Sequence, residues 1–87
     1  MSKGVDVAIL FKHEAFNRVS MLLRAEPGAF IDPHDHNDDE ECFMIEGDLM
    51  FGDLLLQKGD YHVVRKGHPH GRGFSPSGCI CFITAAA

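Results

Sequence analysis

The sequence predicts an all-β fold, a sandwich or closed barrel. Three observations carry that prediction. About eight short runs read as strands, most of them four to eight residues long. Gly- and Pro-containing turns separate them, and no apolar pattern keeps a helical period for more than a turn. At 87 residues the chain is expected to form a single domain over residues 1–87, with no internal repeat. A chain of this size buries only about 60–65 % of the surface its unfolded form exposes, so a bound metal or a partner subunit would add stability that its core cannot.

Val5 to Phe11 alternates weakly and reads as a first, edge strand. Lys12 to Asn17 is a polar connection, with His13 at the surface. Arg18 to Ala25 is the first clear strand: Val19, Met21 and Leu23 share one face, Arg18, Ser20, Leu22 and Arg24 the other, and Glu26-Pro27-Gly28 ends it. Alternation alone leaves open which face turns inward. An inward arginine face would offer Arg18 or Arg24 to a ligand carboxylate; an outward one is a solvated surface. Ala29 to His36 reads as the next strand, interrupted by Pro33, which cannot donate to a ladder. Glu40 to Glu46 follows, with Glu40, Cys42 and Met44 on one face and Glu41, Phe43 and Ile45 on the other. Gly47-Asp48 reads as a turn, and Leu49 to Phe51 runs into Gly52-Asp53, a hairpin signal. Leu54 to Leu56, Tyr61 to Val64, Gly71 to Phe74 and Cys79 to Thr84 complete the strands, and Ala85 to Ala87 reads as a frayed or vector-derived tail.

Chemistry concentrates between Gly28 and Gly47. His34 and His36 are two residues apart, so on an extended strand both imidazoles reach the same side. Glu40 opens the following strand. Two imidazoles and a carboxylate converging on one point suit a divalent transition metal. The alternative is a pair of solvated loop histidines.

The spacing of this stretch resembles the first motif of the cupin superfamily: Gly28, five residues, His34-x-His36, three residues, Glu40, six residues, Gly47. The second motif is similar to residues 59–74, with Gly59, then Arg65-Lys66-Gly67, then His70. Arg65 stands where the family usually has Pro, and Phe74 where it usually has Asn. The resemblance implies a small jelly roll built from antiparallel Greek keys. It also implies one divalent metal per chain (Fe, Zn, Mn or Ni), held by His34, His36, Glu40 and His70. His68 repeats the His-x-His spacing and could replace His70. Pro33 near His34, and Gly71 and Gly73 around His70, suggest that one mouth of the barrel is open.

Within the superfamily, Arg24, Pro27-Gly28, His34-x-His36, Glu40, Gly47, Gly59-Asp60-Tyr61, His70 and Gly78-Cys79 are similar to the C-terminal cupin domain of ChrR-type anti-sigma factors. Two functions are therefore expected in competition, with a metal-stabilised scaffold without turnover as a third possibility. One is a metal-dependent enzyme, such as a dioxygenase acting on a small organic molecule at Fe(II), with the four ligands leaving two octahedral positions for substrate and oxygen. The other is a zinc-binding sensor or regulatory module without catalysis, as the ChrR resemblance implies. The helical sigma-binding domain of that family has no counterpart in these residues.

Composition excludes other classes. The formal net charge is -5, there is no basic stripe and no Trp, so nucleic acid is not an expected partner. No apolar run approaches the roughly 20 residues that span a bilayer, and the first residues lack an apolar signal-peptide core. Three cysteines, an odd number, fit reduced thiols in a cytoplasm. Cys79 and Cys81 read as core; Cys42 reads as a core thiol facing the barrel, with a redox role near the metal as the alternative. Six of the ten residues from Asp32 to Glu41 are acidic; for Asp35, Asp38 and Asp39 the plain expectation is a solvated loop. Phe43 and Ile45, apolar and outward, point to a homodimer. The expected partners are that second copy and a small-molecule ligand.

Overall fold

A computed structural model describes residues 3–32, 38–68 and 71–87. The strands are β1 (Val5–His13), β2 (Arg18–Ala25), β3 (Ala29–Ile31), β4 (Glu40–Phe51), β5 (Leu54–Gln57), β6 (Tyr61–Val64), β7 (Gly73–Ser75) and β8 (Cys79–Ala86), all paired antiparallel. A 3-10 turn over Glu14–Phe16 joins β1 to β2. The ladder runs β1-β2-β8-β4-β7-β3, and β5 and β6 both attach to β4. The result is a curled antiparallel sheet, as expected of a small jelly roll. No helix among the described residues is long and apolar enough to cross a membrane.

Strand β4 carries the architecture. Its first half, Glu40 to Phe43, pairs with β6 on one side and β8 on the other. Its last residues pair with β5 and β7 instead. The register with β8 slips between Met44 and Glu46, a bulge that bends the strand from one sheet into the other. The expected turn at Gly47-Asp48 is therefore corrected: the strand continues through both residues. Gly47 has φ +79, and a Cβ there would lie 2.8 Å from the Cα of Cys79 and collide with the Gly78 carbonyl. The glycine marks a close backbone crossing, not a reversal. The real reversal is at Gly52-Asp53, where Phe51 faces Leu54.

β2 has the bounds the alternation predicts, and its arginine face turns outward. Met21, Leu23 and Ala25 pack in or against the core, while Arg24 pairs with Asp6 on the surface at 2.6 Å. On β4, Glu40, Cys42 and Met44 are buried and Glu41, Phe43 and Ile45 exposed, as parity requires. Two other expectations change. Lys12 and His13 belong to β1, and His13 is half-buried, its Nε2 3.0 Å from the Ser20 hydroxyl and its ring edge-on to Phe11. Ala85 and Ala86 are no tail: they pair with Val19 and Arg18, and the Ala87 amide donates to the Asn17 carbonyl. Cross-strand pairing with β2 extends β8, and nothing local in a run of alanines signals that.

The core is small. Met44, Cys81 and Ser75 are its largest fully buried side chains, with Leu23, Leu49, Leu56 and Ile83 around them. Ser75 is satisfied by donating to the Asp48 carbonyl at 2.7 Å.

The crossing at Gly47 yields a comparison. Gly47→Ala combines a left-handed backbone with a collision against backbone and should cost at least about 2 kcal/mol. Gly52→Ala, at φ +59 with nothing within 4 Å of its added carbon, should cost about 1 kcal/mol. Chemical denaturation of the two variants measures this; equal losses would contradict the role given to the crossing.

Candidate functional site

Of the four expected metal ligands, Glu40 is described; His34, His36 and His70 lie outside the described residues, as do Pro33 and Asp35. The strand expected to deliver the histidines keeps its pairing from Ala29 to Ile31. Among the described residues no three His, Cys, Asp or Glu side chains converge as a metal site.

Glu40 begins β4 and is buried, with 9 % of its surface exposed. It faces a cavity of about 220 Å³ enclosed by both sheets. Leu23, Leu49, Phe51, Val64, Ile83 and the thiol-bearing Cys42 and Cys81 are part of its wall. A carboxylate at an apolar wall is costly unless a cation or hydrogen bonds compensate it. One carboxylate and the three imidazoles of the motifs are donor types that suit a divalent transition metal.

His62, in the middle of β6, is a side chain that neither motif names. It lies opposite Cys42 in the β4–β6 ladder, so it shares the inward face and lines the cavity. Its ring stacks on Phe51, with centroids 5.9 Å apart and planes at 16°. The register with β4 is the signal that places it, and register is a long-range property absent from the local pattern Tyr-His-Val-Val. Phe51 reaches this position because Gly73 has no side chain: a Cβ there would sit 2.8 Å from the Phe51 ring. Gly73 thus makes room for a wall residue, a different reason from the open mouth expected of it. His68 is exposed, and its amide donates to the Arg65 carbonyl, as befits a turn.

Asp38 and Asp39 are not free solvated acids. Asp38 pairs with Arg18 at 3.0 Å, and the Asp39 amide together with the Arg18 guanidinium holds its carboxyl below the usual carboxylate range. Asp39 accepts the Lys66 amide at 2.8 Å and lies 3.4 Å from the Arg65 guanidinium. One acid thus ties the entry of β4 to β2, and the next ties it to the turn after β6. On the outer face Glu41 accepts the Tyr61 and Thr84 hydroxyls at 2.9 and 3.0 Å, and the Tyr61 hydroxyl is harder to ionise for it.

All three thiols are free and buried. Cys79 and Cys81 approach to 3.9 Å between sulfurs. Contacts with Cys42 and Cys79, then burial, push the Cys81 thiol up, so it stays protonated and acts as a core residue.

Asp39→Ala should release the Lys66 amide to hydrogen exchange and cost about 0.5–1 kcal/mol, a small value because the pair is half-exposed. Asp39→Asn keeps the acceptor oxygen and should keep most of the protection. Unchanged exchange at Lys66 in Asp39→Ala would show that this contact anchors nothing.

Comparison with known proteins agrees with this fold. The family described as the ChrR Cupin-like domain matches residues 1–87. Curated protein sequences give no match. An acetylacetone dioxygenase from Acinetobacter johnsonii superposes with a TM-score of 0.88 at 17% identity, covering 98% of this chain and 62% of that one. The anti-sigma ChrR, solved in complex with SigE of Rhodobacter sphaeroides, gives 0.82 at 21% identity, covering 94% of this chain and 44% of that one. An RmlC-like cupin from Shewanella frigidimarina gives 0.80 at 23%, covering 95% and 76%. At these identities the likeness is one of fold, and the chain spans about three fifths of the dioxygenase's length.

Proposed function

Because this chain belongs to the ChrR cupin-like family, we propose that it binds one divalent transition metal beside an internal ligand cavity, through His34, His36, Glu40 and His70. The observation that supports this is Glu40: a buried carboxylate on the wall of an apolar cavity of about 220 Å³. A scaffold metal needs no such space; a metal that meets a small molecule does. The reaction we favour is oxidation of a small organic molecule by dioxygen at iron, in line with the acetylacetone dioxygenase of similar fold. The metal would supply Lewis acidity and redox capacity. Glu40 would lower the net charge of the site, and the aliphatic and thiol walls would exclude water from a bound ligand.

A second reading has its own support, the match to the ChrR family along the whole chain. On it the metal is zinc and the protein a sensor module without turnover.

Metal titration separates these readings from a bare scaffold. Zinc at about 100 times its Kd should add about 2.7 kcal/mol of stability, and Glu40→Gln should raise that Kd at least about tenfold. No metal binding by the wild-type protein would end both readings. Dioxygen uptake by the iron-loaded protein with a small enol or β-diketone supports the enzyme; tight zinc binding with no uptake by the iron form supports the sensor.

We also propose a homodimer through the outer sheet face. Phe43, Ile45, Tyr61 and Val63 are exposed there on the paired strands β4 and β6. Light scattering should give twice the 9.6 kDa chain mass, and Phe43→Glu should return the monomer. A wild-type monomer at high concentration refutes it.

A further inference from the structure

We infer that the cavity takes an unbranched alkyl chain laid across the sheet, its oxygen-bearing head at the Glu40 end and its tail leaving past Val7 and Ile9 of β1. The inference deepens the proposed function, resting on that reading for the head's place beside the metal.

Shape carries the first part of the argument. Val7 of β1, Leu23 of β2, Cys81 of β8, Cys42 of β4 and Val64 of β6 all line the cavity. These five strands are hydrogen-bonded neighbours in that order. Neighbouring strands lie about 4.8 Å apart, so the wall runs roughly 19 Å along the sheet from β1 to β6. A volume of about 220 Å³ drawn out over that span is a slot. It suits a narrow chain better than a broad ring system.

Exposure shows where the slot opens. Along one row of the ladder Val7 faces Leu23, Leu23 faces Cys81, and Cys81 faces Met44. Exposure falls along that row from 37% at Val7 to 8% at Leu23 and 0% at Cys81 and Met44. In the next row Ile9 faces Met21, and Met21 faces Ile83. Ile9 is 52% exposed, whereas Ile83 is buried. Cross-strand partners share a face, so Val7 and Ile9 belong to the inner face and yet are exposed. The cause is position: β1 ends the ladder. The two side chains form an apolar lip where the wall stops.

Chemistry assigns the two ends. Glu40 lies opposite Val64, on the strand pair β4–β6, at the far side of this sheet from β1. On the proposed reading the metal is there, and an oxygen-bearing head suits a divalent cation. Between the ends the wall includes Met21, Leu23, Ile31, Ile83 and the Cys81 thiol. Apolar surface along the whole path rewards each methylene that the ligand buries. Met21, unbranched and polarizable, can adjust to a chain passing toward the lip.

The test is a ketone series on the full chain, metal-free and zinc-loaded, read by protein-observed NMR. From 2-pentanone through 2-octanone to 2-undecanone, each added methylene should tighten the Kd about two- to fourfold in both forms. 6-Undecanone has the same atoms as 2-undecanone but two short arms, and should bind at least about tenfold more weakly. 2-Pentanone should shift the amides of Cys42 and Val64; 2-undecanone should shift those of Val7 and Ile9 as well. Val7→Phe narrows the exit and should erase the gain from 2-octanone to 2-undecanone while leaving 2-pentanone unchanged. Ile9→Ser removes part of the lip at an exposed site and should weaken 2-undecanone about threefold, again without effect on 2-pentanone. That second variant decides the matter if Val7→Phe does not fold. Equal binding of the two undecanones overturns the inference, as does a long-chain affinity that neither variant alters. Zinc binding with a Kd that ignores chain length also overturns it, leaving the metal reading intact. A full length dependence without zinc binding keeps the tail assignment and removes the metal.

Discussion

Strand β4 hydrogen-bonds to β6 and β8 along its first half and to β5 and β7 along its second, so four of the other seven strands depend on one twelve-residue segment. The condition for this is the bulge after Met44 and the absent side chain at Gly47, where the chain crosses Gly78 and Cys79 too closely for any Cβ. Without the bend, β4 would belong to one sheet and the two sheets would not enclose a space. Parity carries the consequence inward. Glu40 and Cys42 before the bend, and Leu49 and Phe51 after it, all reach the same cavity. The cavity is therefore a product of the strand's change of sheet.

What lies inside follows from how little a chain of 87 residues can bury. Among the described residues the largest fully buried side chains are Met44, Cys81 and Ser75, soft or small groups. Larger residues sit at the cavity's edges, where Phe51 occupies the room left by Gly73. The thiols of Cys42 and Cys81 thus serve two surfaces at once, packing into the core on one side and lining the cavity on the other. The alternative of a redox thiol at Cys42 gains no support from its burial.

Local pattern was enough for some of this and not for the rest. The bounds of β2 and the inward set Glu40, Cys42 and Met44 follow from alternation, because a half-buried strand repeats every two residues. Glycine was ambiguous: the same residue type marks a reversal at Gly52 and a crossing at Gly47, and only the partner strand distinguishes them. His62 and the Ala85–Ala86 end of β8 owe their places to register with β4 and β2, which is decided by residues far away in sequence. For the site, the motif spacing singled out His34, His36, Glu40 and His70; of these the structure describes Glu40, at the cavity wall.

The run Asp38-Asp39-Glu40-Glu41 shows why composition alone misleads at such a place. Four consecutive acids look like a solvated patch, and their mutual repulsion argues for one. Each instead meets a different partner or surface. Asp38 reaches Arg18 on β2, Asp39 the Lys66 amide, Glu40 the cavity, and Glu41 the hydroxyls of Thr84 and Tyr61. The strand's alternation separates the last two onto opposite faces of the sheet. The first two tie the entry of β4 to β2 and to the turn that leads toward His70. Negative charge is thereby spent on holding the segment in place on three sides. The remaining acid, Glu40, turns into an apolar space that no lysine or arginine lines.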